Sequence, residues 1–168
     1  LEEGNWAAIR KDIEKRGIED LTDDSTNNDI QKVLELYGIS MINEIVNVEI
    51  WGSGKPRREF LWSEDLIEAC VFLMKRSIFE DNIKKQDHFL KYHNKHINIG
   101  TGSDISISNL SEIIKEIIGF KGDLVFNSSK PDGTMKKCMD ISKIRAMGWE
   151  HNVRLKDGIL RLYNWYLR

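Results

Sequence analysis

Apolar residues recur at helical spacing along most of this chain and switch to alternation in a few short stretches, and the switching predicts its elements. Near the start Trp6, Ile9 and Ile13 sit three and four positions apart until Gly17 interrupts them. The polar run "DDSTNND" supplies an N-cap for a second helix with Ile30, Val33, Leu34 and Tyr37, which Gly38 stops in the C′ position. Residues 1–42 therefore read as a thinly apolar helical hairpin, laid on the surface of something else. From Val46 the texture changes. "VNVEIWG" alternates and is β-branched, so a strand is expected, turned by Gly52-Ser53-Gly54, with "REFLW" as the returning strand.

Ser63 can cap a helix whose stripe of Leu66, Ala69, Cys70, Leu73 and Met74 puts Cys70 in the core. The charged residues 79–95 read as a surface excursion, and "HINIGTG" as a short buried strand entering a glycine turn. The clearest helix is "SISNLSEIIKEIIG", capped by Ser106, with Ile107, Leu110, Ile113, Ile114 and Ile117 on one face and Gly119 at its end. "DLVF" is a further strand. Asp140 can cap a short helix ending at Gly148, and "KDGILRLYNWYLR" is an amphipathic terminal helix. Strands alternating with helices define an α/β class.

Length and charge narrow the function. With 168 residues the chain is one domain, or one domain with appendages. A net charge of −2 argues against a dedicated nucleic-acid binder, and no apolar run approaches membrane-spanning length. Cys70 and Cys138 fall in no C-x-x-C spacing, so reduced thiols and a cytoplasmic location are expected. The chain opens on Leu1 rather than Met, and the expectation is a piece of something longer.

Three segments invite a ligand. "WGSGKPRREFLW" looks like half a phosphate loop, but Glu49 stands five before Gly54, and Pro56 occupies the place of the magnesium-binding hydroxyl. It is not an NTPase loop. Gly100-Thr101-Gly102 follows a strand as a dinucleotide fingerprint would, yet the third glycine position is Ile105, and a tight turn is the better account. His88, His93 and His96 lack the spacing of metal ligands and read as surface residues, so no metal is expected. Arg57 and Arg58 are either a solvated strand edge or an anion site, and residue chemistry leaves both open. In "SSKPDGTMKK" the bland reading is a surface turn. The functional one has Asp132 accepting from vicinal hydroxyls, while Lys130, Lys136 and Lys137 bring positive charge for phosphates.

Taken in order, "VEIWGSGKPRREFLWSEDL", "HINIGTG", "VFNSSKPDGTMKK" and "MGW…LKDGI…YNWYL" resemble the C-terminal part of the GDP-L-fucose synthase family, within the extended short-chain dehydrogenases. The resemblance runs from about Val46 to the end. It implies an α/β substrate-binding part at 43–168, preceded by a helical insertion at 1–42. It also implies that Trp51, Arg58, Asp132 and Lys137 belong to the GDP-sugar site, and that the whole enzyme is an NADPH-dependent epimerase and reductase, soluble and homodimeric. The family's cofactor fold, Ser, Tyr-x-x-x-Lys pair and epimerisation Cys and His lie upstream of the matched region. In this chain Tyr37, Tyr92 and Tyr163 are followed four on by Met41, His96 and Leu167. The expectation is therefore no catalytic residue and no bound cofactor on this chain. The resemblance also implies that the "SED" helix and "INIGTG" pack onto the cofactor fold, so the chain alone should expose apolar surface. Outside the enzyme class, the rivals are a stand-alone nucleotide-sugar-binding or protein-interaction module and a nucleic-acid binder using "IKK", "KYHNK" and "MKK". Within it, the rival is another GDP- or UDP-sugar epimerase.

Overall fold

The structure, a computed structural model, describes residues 1, 4–18, 21–22, 24–75 and 96–168. The predicted surface excursion at 79–95, with His88 and His93, lies outside them. Proximity of Cα atoms in space divides the chain into two compact units: Leu1–Lys55 with Gly119–Gly133, and Pro56–Ile118 with Thr134–Arg168.

In the first unit α1 (Trp6–Arg16) starts where the Asn5 side chain accepts from the Ala8 N–H, and it stops at Gly17. Helix α2 (Asn27–Leu36) carries the cap expected from "STNND". The Thr26 hydroxyl accepts from Asp29 N, and the Asp29 carboxylate accepts from Thr26 N and Oγ1. Arg10 joins the two helices, donating to Ser25 O at 2.6 Å and to Asn27 Oδ1 at 2.8 Å.

The last residues of the stretch read as helical are a strand instead, β1 (Ile39–Ile42). It forms an antiparallel hairpin with β2 (Ile45–Trp51), in which Ile42 faces Ile45 across a two-residue turn. Both turn residues, Asn43 and Glu44, have positive φ (50° and 67°), the backbone that matches the twist of the flanking strands. Strand β2 pairs on its other side, in parallel, with β5 (Asp123–Asn127), from Asn47↔Asp123 to Trp51↔Asn127. Among the described residues of this unit, Ile30 and Val46 are the buried apolar side chains.

The second unit holds a small sheet of two-residue strands, β3 (Arg57–Arg58) between β4 (Ile105–Ser106) and β6 (Lys136–Lys137). Of "REFLW" only its first residue, Arg58, is in a strand. Residues 97–99, expected as a strand, enter no ladder with any described residue. Ile97 and Ile99 nevertheless pack on the core of Ala69, Ile141, Ile144 and Trp149.

Helix α3 (Ser63–Lys75) gives that core only one side, through Ala69, Phe72 and Leu73. Its buried Asp65, 2% exposed, accepts the N–H groups of Asn152 and Val153 at 3.1 and 3.0 Å. Cys70, read as core, is exposed on the opposite stripe with Leu66, Ile67, Val71 and Met74. The reason is angular: at 100° per residue, positions 65, 69 and 72 share a face that 67, 71 and 74 cannot.

Helix α4 (Ile107–Ile118) has Ser106 Oγ accepting from Asn109 N, as its sequence predicts, and Gly119 (φ 72°) follows it. Asp140 receives the Ser142 N–H at the start of α5 (Ser142–Ala146). Helix α6 (Leu155–Tyr166) closes the chain and pairs with α4 through Lys156 and Glu116 at 3.1 Å. Among the described residues no helix is long and apolar enough to cross a membrane.

Candidate functional site

Adjacent arginines on a strand point to opposite faces, so β3 sorts its two guanidiniums by geometry alone. Antiparallel pairing sets Arg57 against Ser106 and Arg58 against Ile105, while parallel pairing sets Arg57 against Lys136 and Arg58 against Lys137. One face of the sheet therefore carries Arg57 and Lys136, and the other carries Arg58 and Lys137.

The two pairs fare differently. Asp104, its side chain only 9% exposed, takes the Arg57 Nε–H on one carboxylate oxygen and Lys136 Nζ, 3.2 Å away, on the other. Arg57 adds a bond to the Asp104 carbonyl at 3.0 Å. The hydrogen bond from Arg57 holds the Asp104 carboxyl below its ordinary range. Arg58 instead donates Nη1–H groups to the carbonyls of Arg57 and Thr134, at 2.7 and 2.6 Å. Those contacts fix the guanidinium without neutralising it. Among the described residues neither Arg58 nor Lys137 has a carboxylate in salt-bridge range, so two cations stand as register partners with their charge uncompensated. Such a pair suits a di-anion with two phosphate centres.

In the first unit the expected residues also meet. Trp51 ends β2 and is 70% exposed, although an aromatic on a strand is more often core. The Lys130 ammonium lies 5.0 Å from the centre of its ring, a cation–π contact. Asp132 accepts from Ser53 N at 2.8 Å and from Ser53 Oγ at 2.6 Å, which binds the W-G-S-G turn to the K-P-D-G turn. Gly52 (φ 86°) is obligatory here because any Cβ would run into Asp132 Oδ1. Gly52 N also donates to Asn127 O at 3.0 Å, so both turns rest on the last pair of the β2–β5 ladder. Lys55 is exposed.

The Ser53 hydroxyl, and after it the Ser53 N–H, pull the Asp132 pKa below its ordinary 3.8. A group whose folded pKa is depressed contributes stability that is complete above the ordinary value and is lost as pH falls through the folded one. The clamp should thus hold at neutral pH and open only in acid. The Ser53 amide, followed by NMR, is expected to titrate with a midpoint below 3.8, and a midpoint at or above that value would mean that the clamp does not form.

The Gly100-Thr101-Gly102 turn does not fit a pyrophosphate. The N–H groups of Thr101 and Gly102 both donate to Glu59 Oε1, the latter at 2.6 Å, and a Cβ at Gly100 would collide with the same carboxylate. A side-chain carboxylate already occupies the place where a phosphate would be cradled. His96 is exposed, and no three His, Cys, Asp or Glu side chains gather as metal ligands would among the described residues. The sequence reading gave no site role to Asp104, Ser53 or Glu59. Each acts on a partner at least 42 residues away, so no local sequence signal marks it.

Comparison with known proteins agrees with this architecture. Residues 25–100 match the NAD dependent epimerase/dehydratase family. A putative GDP-L-fucose synthase 2 of Arabidopsis thaliana is 45% identical over 125 residues, 74% of this chain and 34% of that protein. A GDP-6-OMe-4-keto-L-xylo-heptose reductase from C. jejuni superposes with a TM-score of 0.82 at 42% identity, covering 99% of this chain and 43% of the reductase. A GDP-mannoheptose C4 reductase from Campylobacter jejuni, solved with NADP bound, gives 0.77 at 39% identity over 100% of this chain and 42% of its own. Fold and sequence together place the chain in the epimerase/dehydratase family of extended short-chain dehydrogenases. Within that family it is similar to the GDP-L-fucose synthases and the GDP-heptose reductases. It spans about a third of the curated relative's length and about two-fifths of the solved structures.

Proposed function

We propose that this chain is the nucleotide-sugar-binding part of a GDP-4-keto-sugar epimerase and reductase. The carrying observation is the Arg58–Lys137 pair, matched in register and uncompensated beside a second pair that Asp104 neutralises. Arg58 and Lys137 hold the diphosphate. Trp51 offers an aromatic face to the nucleoside or sugar, and Asp132, with lone pairs left after Ser53, accepts from sugar hydroxyls. In the whole enzyme, a cytoplasmic homodimer, the substrate is GDP-4-keto-6-deoxymannose. Epimerisation at C3 and C5 precedes reduction at C4, for which NADPH supplies the hydride. This chain's residues bind and orient, and the proton donor and cofactor fold belong to upstream sequence. Residues 43–168 carry the site, and residues 1–42 precede it as a segment of two helices and the strand β1.

The test is calorimetric titration of the chain with GDP and with UDP. Binding should favour GDP, and the chain alone should oxidise no NADPH in the presence of a GDP-4-keto sugar. Equal or tighter binding of UDP would redirect the reading to a UDP-sugar epimerase, and NADPH oxidation would overturn the assignment of chemistry to other residues. A second reading, a GDP-4-keto-heptose as substrate, is favoured by the extent of the match. The heptose reductases cover 99% and 100% of this chain, N-terminal helices included, whereas the Arabidopsis sequence aligns over 74%. Tighter binding of a GDP-heptose than of GDP-fucose would select it.

A further inference from the structure

Residues 134–140 are exposed at every position, so burial cannot be what fixes the strand that carries Lys137. A parallel ladder only two residues long cannot fix it alone either. The run Arg57-Arg58-Glu59 holds it, alongside Lys136 on Asp104 at 3.2 Å and the Asn98 side chain donating to the Asp140 carbonyl at 3.0 Å. Arg57 N donates to Met135 O at 2.7 Å, Arg58 Nη1 donates to Thr134 O at 2.6 Å, and Glu59 Oε2 accepts Met139 N–H at 2.7 Å. The first two bonds lie before Lys137 and the third lies after it. Glu59 is itself anchored, because its other oxygen takes the N–H groups of Thr101 and Gly102 and the Thr101 hydroxyl. Thr101 is buried, so the anchor stands on fixed backbone.

From this geometry we infer that Glu59 is a positioning residue: it fixes the backbone at Met139, two residues past β6, and so sets Lys137 beside Arg58 at the spacing a diphosphate needs. The inference rests on the diphosphate reading of that pair. It also makes a prediction opposite in sign to simple electrostatics. Removing a negative charge near two cations should strengthen anion binding, whereas removing a positioning group should weaken it.

The experiment is calorimetry of the chain with GDP, GMP and inorganic pyrophosphate, for wild type, Glu59→Gln, Gly100→Ala, Lys137→Ala and the Glu59→Gln/Lys137→Ala double variant, each with a thermal melt. Glu59→Gln keeps an acceptor for Thr101 and Gly102 but turns an amide N–H₂ toward Met139 N–H or loses that contact. Gly100→Ala pushes the carboxylate aside while leaving its charge, so the two variants reach the same point by different routes. Each is expected to weaken GDP and pyrophosphate about tenfold, the scale of one charge-assisted contact, with GMP changed less than about twofold, because Arg58 is held independently. In the Lys137→Ala background Glu59→Gln should add less than about twofold, as expected of residues acting as one unit.

Unchanged or tighter GDP binding by Glu59→Gln would overturn the inference. So would equal losses for GMP and GDP, or losses that multiply in the double variant, since both indicate a general structural role. A wild type that binds pyrophosphate but not GDP sinks the nucleotide-sugar reading and leaves Glu59 to be judged on the pyrophosphate series. A wild type that binds neither overturns both.

Discussion

Replacing Arg58 with alanine is expected to weaken GDP binding about a hundredfold, while the same change at Arg57 costs less than about threefold. The two residues are neighbours with the same charge, so composition cannot separate them. The sheet does. Arg57 is spent on Asp104, whose carboxylate it shares with Lys136, and its loss would leave that carboxylate with one cation and the anion site untouched. Arg58 carries its charge uncompensated, and the carbonyls of Arg57 and Thr134 hold its guanidinium in place before any ligand arrives. A hydrogen bond to a charged group contributes roughly 1.5–3 kcal/mol, and a hundredfold loss corresponds to about 2.7 kcal/mol. Lysine at 58 should recover little of it, because an ammonium cannot bond two carbonyls and a phosphate through one planar fork. Affinity in the wild type should also fall as salt is raised. Equal losses at 57 and 58 in calorimetry would show that β3 does not sort its arginines, and the diphosphate assignment would fail with it.

How far the sequence carries this reading differs from element to element. The helix at Ile107–Ile118 was legible because five apolar positions at helical spacing lie between a serine cap and a terminating glycine, all local signals. The strand Ile39–Ile42 was not. Its hairpin turns at Asn43-Glu44, without the glycine that usually marks such a turn, and its pairing with β2 is a property of both strands together. Residues 97–99 show the reverse: β-branched alternation made them look like a strand, yet a ladder also needs a partner, and no described residue supplies one.

The candidate residues divide in the same way. Trp51, Arg58, Asp132 and Lys137 could be named from residue type and family resemblance. That Arg58 and Lys137 are opposite each other depends on a strand of two exposed lysines with no hydrophobic period to announce it. Asp104 and Glu59 act across 47 and 80 residues of sequence respectively, toward Arg57 and Met139, so only the folded chain brings them to their partners.

A methyl group should do severe harm at Gly122, directly before β5. A Cβ there would penetrate the Val46 carbonyl oxygen and lie 2.5 Å from Phe120 Cζ. The phenyl ring can turn away, but the carbonyl cannot. Val46 is buried in β2, paired with Met41 on one side, and the neighbouring Asn47 is paired with Asp123 on the other. Relief therefore means opening the start of the β2–β5 ladder. Gly122→Ala is expected to destabilise the first unit by about 3 kcal/mol, the upper range for an overpacked site. Gly119→Ala is the control: its φ of 72° is costly for alanine, but a Cβ there meets nothing within 4 Å, so about 1 kcal/mol is expected. Chemical denaturation followed by tryptophan fluorescence measures both. The consequence reaches the proposed ligand site, because the same ladder ends in Trp51 and Asn127, on which the W-G-S-G and K-P-D-G turns rest. A register opened at Gly122 should loosen the Ser53–Asp132 clamp and carry Trp51 out of place, weakening GDP as well as stability. A Gly122→Ala variant no less stable than the Gly119→Ala control would mean that the start of β5 yields freely, and the placement of Trp51 and Asp132 would then have to come from the two turns alone.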